Sequence, residues 1–242
     1  MTEAVGLDLG STWAKRVRLV DGDAMEREAL PSHRYHEMLD GVGEVPVGAC
    51  GYFRDRAAGA RTCTEVTAAL LGTRHFFPDI EVVVDVGGQD VKVVDARTGE
   101  LRMNDKCGAG TGAFLEFACA YLGVVFKDLG ALHRRARNPA EINDACGVFA
   151  LTGMVSALAD GASVADVVAG LHRAFARRVA PLVPPARRVA MVGGVARDAG
   201  AVAALSDELG HELSVPPHPQ HCNAVGAALF AIRGGVRLKN GA

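Results

Sequence analysis

The chain has 242 residues with 26 basic, 28 acidic and eight histidine side chains, for a formal net charge of −2. That length can bury roughly 70–75% of the unfolded surface, so one large or two small domains fold without covalent staples. The balanced charge gives no support for a nucleic-acid partner, which calls for a basic face. Apolar runs such as Val82 to Val84 fall far short of the roughly 20 residues of a membrane helix. Met1-Thr2-Glu3-Ala4 lacks the basic and long apolar regions of a signal peptide, so a cytoplasmic protein is expected. The six cysteines, at 50, 63, 107, 119, 146 and 222, contain no CxxC pair, which argues against a closed zinc site within the chain. Cys63 and Cys119, placed on predicted helices, read as small buried hydrophobes.

In chain order, short apolar runs alternate with helical patterns, the α/β signature. Val5 to Leu9 and Lys15 to Val20 read as strands around the turn Gly10-Ser11-Thr12, and Pro46 to Gly51 as a further strand. Thr64 to Leu71 predicts a helix stopped by Gly72. Glu81 to Val86 and Asp90 to Asp95 are strands flanking Gly87-Gly88. Strand, acidic residue, glycine turn and strand therefore occur twice, at Gly6 to Thr12 and at Val84 to Asp90, a weak internal repeat that implies two similar lobes. Helices are predicted over Thr111 to Leu122 and Cys146 to Ala159. Another is capped by Ser163, with Val164, Val167, Val168, Leu171, Phe175 and Val179 on one apolar face until Pro181, Pro184 and Pro185 end it. Val189 to Val192, Gly193-Gly194 and Ala199 to Leu209 make a last strand, turn and helix, and Ala224 to Ile232 closes the chain.

Phosphate chemistry needs backbone N–H groups that can approach anionic oxygens closely, and glycines permit it. Gly10, Gly87, Gly88, Gly108, Gly110 and Gly112 supply such positions, with Thr111 between the last two. Asp8 and Asp85 each end a strand beside a turn, where a carboxylate suits Mg²⁺, while Ser11, Thr12 and Lys15 are placed to meet phosphate or metal. No GxxxxGK[ST] string and no Rossmann GxGxxG exists. Cys107 lies inside a glycine-rich loop, Asn104-Asp105-Lys106-Cys107-Gly108-Ala109-Gly110-Thr111-Gly112. Cys146 lies in Asn143-Asp144-Ala145-Cys146-Gly147. Both stand at predicted helix N-termini, where the dipole favours thiolate. His218, His221 and Cys222, among prolines, read as a solvated turn rather than a metal site.

The order of turns resembles that of the actin, sugar kinase and Hsp70-type ATPase superfamily, with Val192-Gly193-Gly194-Val195-Ala196 in the place of the adenosine loop. Within it, Gly10-Ser11-Thr12, Asp85-Val86-Gly87-Gly88-Gln89-Asp90-Val91-Lys92, Asn104-Asp105-Lys106-Cys107 and Cys146-Gly147-Val148-Phe149-Ala150 resemble the ATP-dependent activators (component A) of 2-hydroxyacyl-CoA dehydratases and the ATPase subunits of benzoyl-CoA reductase. The likeness runs from about Val5 to Leu229, with 21–45 poorly matched. It implies an α/β fold of two actin/ribonuclease H-like lobes with a nucleotide cleft between them, residues 1–79 plus 225–242 forming the first lobe and 80–224 the second. It implies ATP/ADP and Mg²⁺ held by Asp8, Asp85, Gly10, Ser11, Thr12, Lys15, Gly87, Gly88, Gly108, Gly110, Thr111, Gly112, Gly193 and Gly194, with Gln89 or Asp90 positioning the attacking water. It further implies a homodimer sharing one [4Fe–4S] cluster on Cys107 and Cys146 of each chain; four thiolates from two cysteines per chain agree with two-fold symmetry. Such a protein takes electrons from a ferredoxin or flavodoxin and passes them, driven by ATP, to a CoA-ester dehydratase or reductase.

One departure stands out. Where that family continues with an acidic Glu-Ser-Glu-like string, this chain reads Leu151-Thr152-Gly153-Met154. The loss of negative charge there is expected to raise a cluster potential or to alter the docking face. Alternatives are a subunit built permanently into a reductase complex, a small-molecule kinase of the same fold without a cluster, and a nucleotide sensor with neither turnover nor cluster.

Overall fold

The computed structural model describes residues 2–104, 108, 111–143 and 146–233. Its first sheet has five strands, β1 (Glu3–Leu9), β2 (Trp13–Val20), β3 (Asp23–Pro31), β4 (Val47–Cys50) and β5 (Arg61–Thr62), in the order β3-β2-β1-β4-β5. β1 to β3 form an antiparallel meander, while β4 and β5 join in parallel. The second sheet repeats that plan with β6 (Val82–Val86), β7 (Val91–Asp95), β8 (Leu101–Asn104) and β9 (Val189–Val192), ordered β8-β7-β6-β9. In place of a fifth strand, Ser214 makes a parallel bridge to Ala190. The weak repeat of strand, acid and turn is thus a repeat of whole sheets.

The helices are α1 (Glu65–Phe76), α2 (Gly112–Leu122), α3 (Leu129–Arg135), α4 (Gly147–Ala159), α5 (Val164–Val179), α6 (Ala199–Leu209) and α7 (Cys222–Arg233). Val84, Val86, Val91 and Val93 pack under Leu115, Phe175, Val179 and Leu205, so α2, α5 and α6 cover one face of the second sheet. Its other face, through Val83, Val94, Ala190 and Val192, meets Ala69 and Leu70 of α1 and Cys222. Ala224, Val225, Ala228 and Leu229 of α7 pack on Ala4, Val17 and Leu19 of the first sheet. A helical layer of α1 and α7 therefore lies between the sheets and joins the lobes.

That layer corrects one expectation. Gly72 does not stop α1, which continues to Phe76. A Cβ on Gly72 would stand 2.0 Å from the Cys222 carbonyl oxygen, and one on Gly226 would stand 1.8 Å from that of Ala68. The two glycines serve a close helix–helix approach, which punctuation rules do not foresee. Cys63 is likewise not helical: it lies between β5 and Thr64, the residue that caps α1. It is nonetheless buried, as is Cys119 on α2, and burial pushes both thiols up to about 11.

β3, β8 and α3 were not expected. β3 is an edge strand in which Glu26, Arg27 and Glu28 dominate, so it carries little apolar signal. Its turn was legible: Asp21 and Gly22, with φ of 51° and 96°, are the Asp-Gly pair preferred in tight hairpins. Ser163 caps α5 as expected, its Oγ accepting from the Asp166 N–H at 3.1 Å.

Candidate functional site: an inter-lobe cleft

A cleft of about 830 Å³ opens between the two sheets, above the α1/α7 layer. From the first lobe it is lined by Asp8, Gly10, Ser11, Thr12 and Lys15; from the second by Asp85, Gly87, Gly88, Gln89, Asp90, Gly112, Gly193 and Gly194. Residues far apart in sequence, singled out as phosphate, metal and adenosine contacts, thus share one cavity. Thr111 does not line it: its side chain is buried, and its Oγ1 donates to the Gly108 carbonyl at 2.6 Å. Gly108 is exposed beside it, outside the cavity lining. Cys107 and Gly110 lie outside the described residues.

Each lobe places its acid by the same device. Asp8 near the end of β1 pairs in register with Lys15 of β2, and Asp85 near the end of β6 with Lys92 of β7. The first turn is pinned by Ser32, whose Oγ donates to Gly10 O at 2.6 Å and whose N–H donates to Thr12 O at 3.0 Å. The second is pinned by α2, where the N–H groups of Gly112 and Ala113 donate to Gly87 O and Gly88 O at 2.9 and 2.8 Å. Those two N–H groups are therefore spent on the turn, and Gly112 acts as a brace. The turns also touch: a Cβ on Gly88 would lie 2.1 Å from Thr12 Oγ1. Gly193 has φ of 90°, and a Cβ there would meet Val86 O at 2.4 Å, so the adenosine-loop candidate sits directly over the end of β6.

The electrostatics of the two acids differ. Lys15 Nζ lies 3.0 Å from Asp8 Oδ2, with the Cys50 thiol against Oδ1 at 3.8 Å. Burial alone would lower the Lys15 pKa, but the Asp8 carboxylate outweighs it and holds the ammonium above its usual range. Burial pushes Asp85 up to about 6, against the pull of Lys92 and of Asn223, whose Nδ2 donates to Asp85 Oδ2 at 2.9 Å. Lys92 Nζ reaches Asp90 Oδ2 at 2.5 Å and Glu65 Oε2 of α1 at 2.8 Å. Burial works against its charge, yet the surrounding carboxylates raise its pKa. Asp90 is thereby engaged, while Gln89 projects exposed into the cleft.

Lys92, Glu65 and Asn223 were not singled out from sequence. Lys92 had a signal: it follows Asp85 by seven residues, as Lys15 follows Asp8 by seven. Glu65 and Asn223 carried none, since only folding brings α1 and α7 to the cleft floor.

Cys146 is the N-cap of α4, partly exposed, and its N–H donates to Asn143 Oδ1 at 3.1 Å. Val148 and Phe149 in the first turn of α4 are 69% and 62% exposed, an apolar surface at the cysteine. Of Leu151-Thr152-Gly153-Met154, Thr152 is exposed and Met154 is core. The solvated-turn reading of His218, His221 and Cys222 holds for His218 alone. His221 is buried against the Glu28 carbonyl, with its pKa lowered to about 4 by burial, and Cys222 is buried at the start of α7, with its thiol pushed up to about 12. Prolines mark the turn, but the packing of α7 decides what is covered. No helix among the described residues is long and apolar enough to cross a membrane.

Two duplicated α/β lobes facing across a glycine-lined, carboxylate-bearing cleft define an actin-like nucleotide-binding fold. The match to known proteins is closer than that class. The chain belongs to the BadF/BadG/BcrA/BcrD ATPase family, whose model matches residues 5–231. It is 36% identical to the 2-hydroxyisocaproyl-CoA dehydratase activator of Clostridioides difficile, over 94% of either chain. It is 34% identical to the (R)-2-hydroxyglutaryl-CoA dehydratase activating ATPase of Acidaminococcus fermentans, over 95% of this chain and 96% of that one. The solved structure of the Clostridium difficile activator with bound ADPNP superposes with a TM-score of 0.88 at 35% identity, covering 95% of this chain and 94% of that one.

Proposed function

We propose that this protein is an ATP-hydrolysing activator that delivers a low-potential electron to a 2-hydroxyacyl-CoA dehydratase or a related CoA-ester reductase. The observation that carries the ATPase half is the pair of acid, turn and lysine units facing one another in one cleft. The names of the two relatives, an activator and an activating ATPase, support the choice of partner. The working lobes are residues 1–79 plus 225–242 and residues 80–224.

ATP is the substrate of the cleft. Gly10, Ser11 and Thr12 from one lobe and Gly87 and Gly88 from the other receive its phosphates, and Gly193-Gly194 its nucleoside. Asp8 and Asp85 are hard oxygen donors suited to the Mg²⁺ shell. Lys15 supplies fixed positive charge, and an adjoining cation would favour ionised Asp85. Gln89, free of the lysine that occupies Asp90, orients the water that attacks the γ-phosphorus.

Among the described cysteines, Cys146 fits a cluster: it is partly exposed at a helix N-terminus, whose positive dipole end suits an anionic cluster, whereas Cys50, Cys63, Cys119 and Cys222 are buried thiols with raised pKa values. We assign Cys107 and Cys146 of each chain of a homodimer as ligands of one [4Fe–4S] cluster, with exposed Val148 and Phe149 placed to be covered by the second copy. A cluster there would supply a one-electron reductant, recharged by a ferredoxin or flavodoxin.

The deciding experiment is iron and acid-labile sulfide on anaerobically purified protein, with native mass, beside Cys107→Ala and Cys146→Ala. About two irons per chain in a dimer, lost in both variants, is the expected result. Iron-free protein after anaerobic reconstitution, or full iron in both variants, would remove the electron-transfer reading and leave an ATPase.

A further inference from the structure

Side chains tie one lobe to the other both inside the molecule and at the cleft mouth. Away from the mouth, Lys92 reaches Glu65 on the cleft floor and His221 lies against the Glu28 carbonyl. At the mouth a tie is exposed: Trp13 Nε1 donates to Glu116 Oε1 at 3.2 Å, across 103 positions of sequence. Trp13 opens β2 directly after the Gly10-Ser11-Thr12 turn. Glu116 stands on α2, one turn beyond the Gly112 and Ala113 N–H groups that hold the opposite turn. Both side chains line the cleft, and the indole is 40% exposed. A large, partly exposed residue whose N–H meets a carboxylate of the other lobe belongs to none of the core clusters among the described residues.

We propose that Trp13 and Glu116 are positioning residues that form an inter-lobe clasp, setting how tightly the cleft closes over nucleotide and carrying that closure to α2. The inference rests on the reading of the cleft as the ATP site. A hydrogen bond to a charged acceptor in open water is weak, so the clasp opens readily to admit nucleotide. When the lobes close and water leaves, the same bond strengthens. α2 is then held at two points, at Gly112 and Ala113 by its own lobe's turn and at Glu116 by the first lobe. Relative motion of the lobes must therefore turn this helix.

Trp13 is the single tryptophan of the chain, so its emission reports the clasp. The test is ADPNP titration of iron-free protein, followed by calorimetry for wild type, Trp13→Phe, Glu116→Ala, Glu116→Gln and the Trp13→Phe/Glu116→Ala double variant, and by tryptophan emission for the three that keep Trp13. Wild-type emission should shift saturably with ADPNP. Glu116→Ala should lose that shift while still binding ADPNP, with Kd raised about threefold to tenfold. Trp13→Phe should weaken binding by the same factor, and the double variant by no more than either single one. Glu116→Gln, which keeps an oxygen acceptor, should retain most of the shift. An unaltered ADPNP response in Glu116→Ala, or additive losses in the double variant, would overturn the clasp. Wild type that fails to bind ADPNP in the calorimeter would instead remove the ATP-site reading, and the clasp with it. Iron content does not enter, so failure of the cluster assignment leaves this test standing.

Discussion

The two lobes are copies in topology and opposites in wiring. In the first, Lys15 sits on its own acid, Asp8, at 3.0 Å. In the second, the corresponding Lys92 turns instead to Asp90 and to Glu65 of the other lobe, and Asp85 keeps an amide donor, Asn223. One sheet therefore presents an acid neutralised locally, the other an acid left near pH 6 by burial. The same strand plan can place a carboxylate twice, yet its charge state depends on which helix end the neighbouring lysine meets. The second lobe holds the acid that burial raises, and the first an acid with a lysine directly on it.

Asp85→Asn should break that contrast most severely. ATP turnover is expected to fall at least about a hundredfold if the acid helps hold the metal shell, read by steady-state phosphate release. The same variant should be more stable at neutral pH. Because the folded-state pKa of about 6 lies above the ordinary carboxylate value of 3.8, the folded protein binds this proton more tightly than the unfolded chain. Stability then falls as pH rises between those values, and above pH 6 the full cost, on the order of 2–3 kcal/mol, applies. Thermal melts should show Asp85→Asn gaining at pH 7.5 and not at pH 4; equal gains at both would sink the assignment.

Lys92→Met comes next, since it removes the cation that Glu65 and Asp90 contact directly and that faces Asp85. A loss of about 3–5 kcal/mol is expected, and Lys15→Met, which strands a single acid, should cost less. Urea unfolding compares the two directly, and a larger loss for Lys15→Met would reverse the reading of which lobe is more strongly wired. Gly226→Ala tests the layer that both lobes share: a Cβ only 1.8 Å from the Ala68 carbonyl oxygen forces α1 and α7 apart. That should cost about 1–3 kcal/mol, or roughly 2–9 °C in Tm. Ser163→Ala removes the cap of α5, far from the cleft, and should cost only about 1 kcal/mol with ATP turnover unchanged.

The sequence by itself determined the alternation of strands and helices, the doubled acid and turn, and several of the glycines that face the cleft, although Gly108 lies outside its lining and Gly51 within it. These are local facts: buried runs such as Val82 to Val84 must be apolar, and a turn beside phosphate must be small. It also indicated Lys92, through the seven-residue spacing shared with Lys15, although only the register of β6 with β7 gave that spacing meaning. Only the tertiary structure decided the rest. Gly72 reads as a stop until Cys222 is laid against it. His221 and Cys222 read as solvated until α7 docks. Glu65, Asn223 and the Trp13–Glu116 pair carry no local signature at all. The physical reason is that periodicity records how much water each position loses, whereas the identity of the group that replaces the water is set by segments distant in the chain.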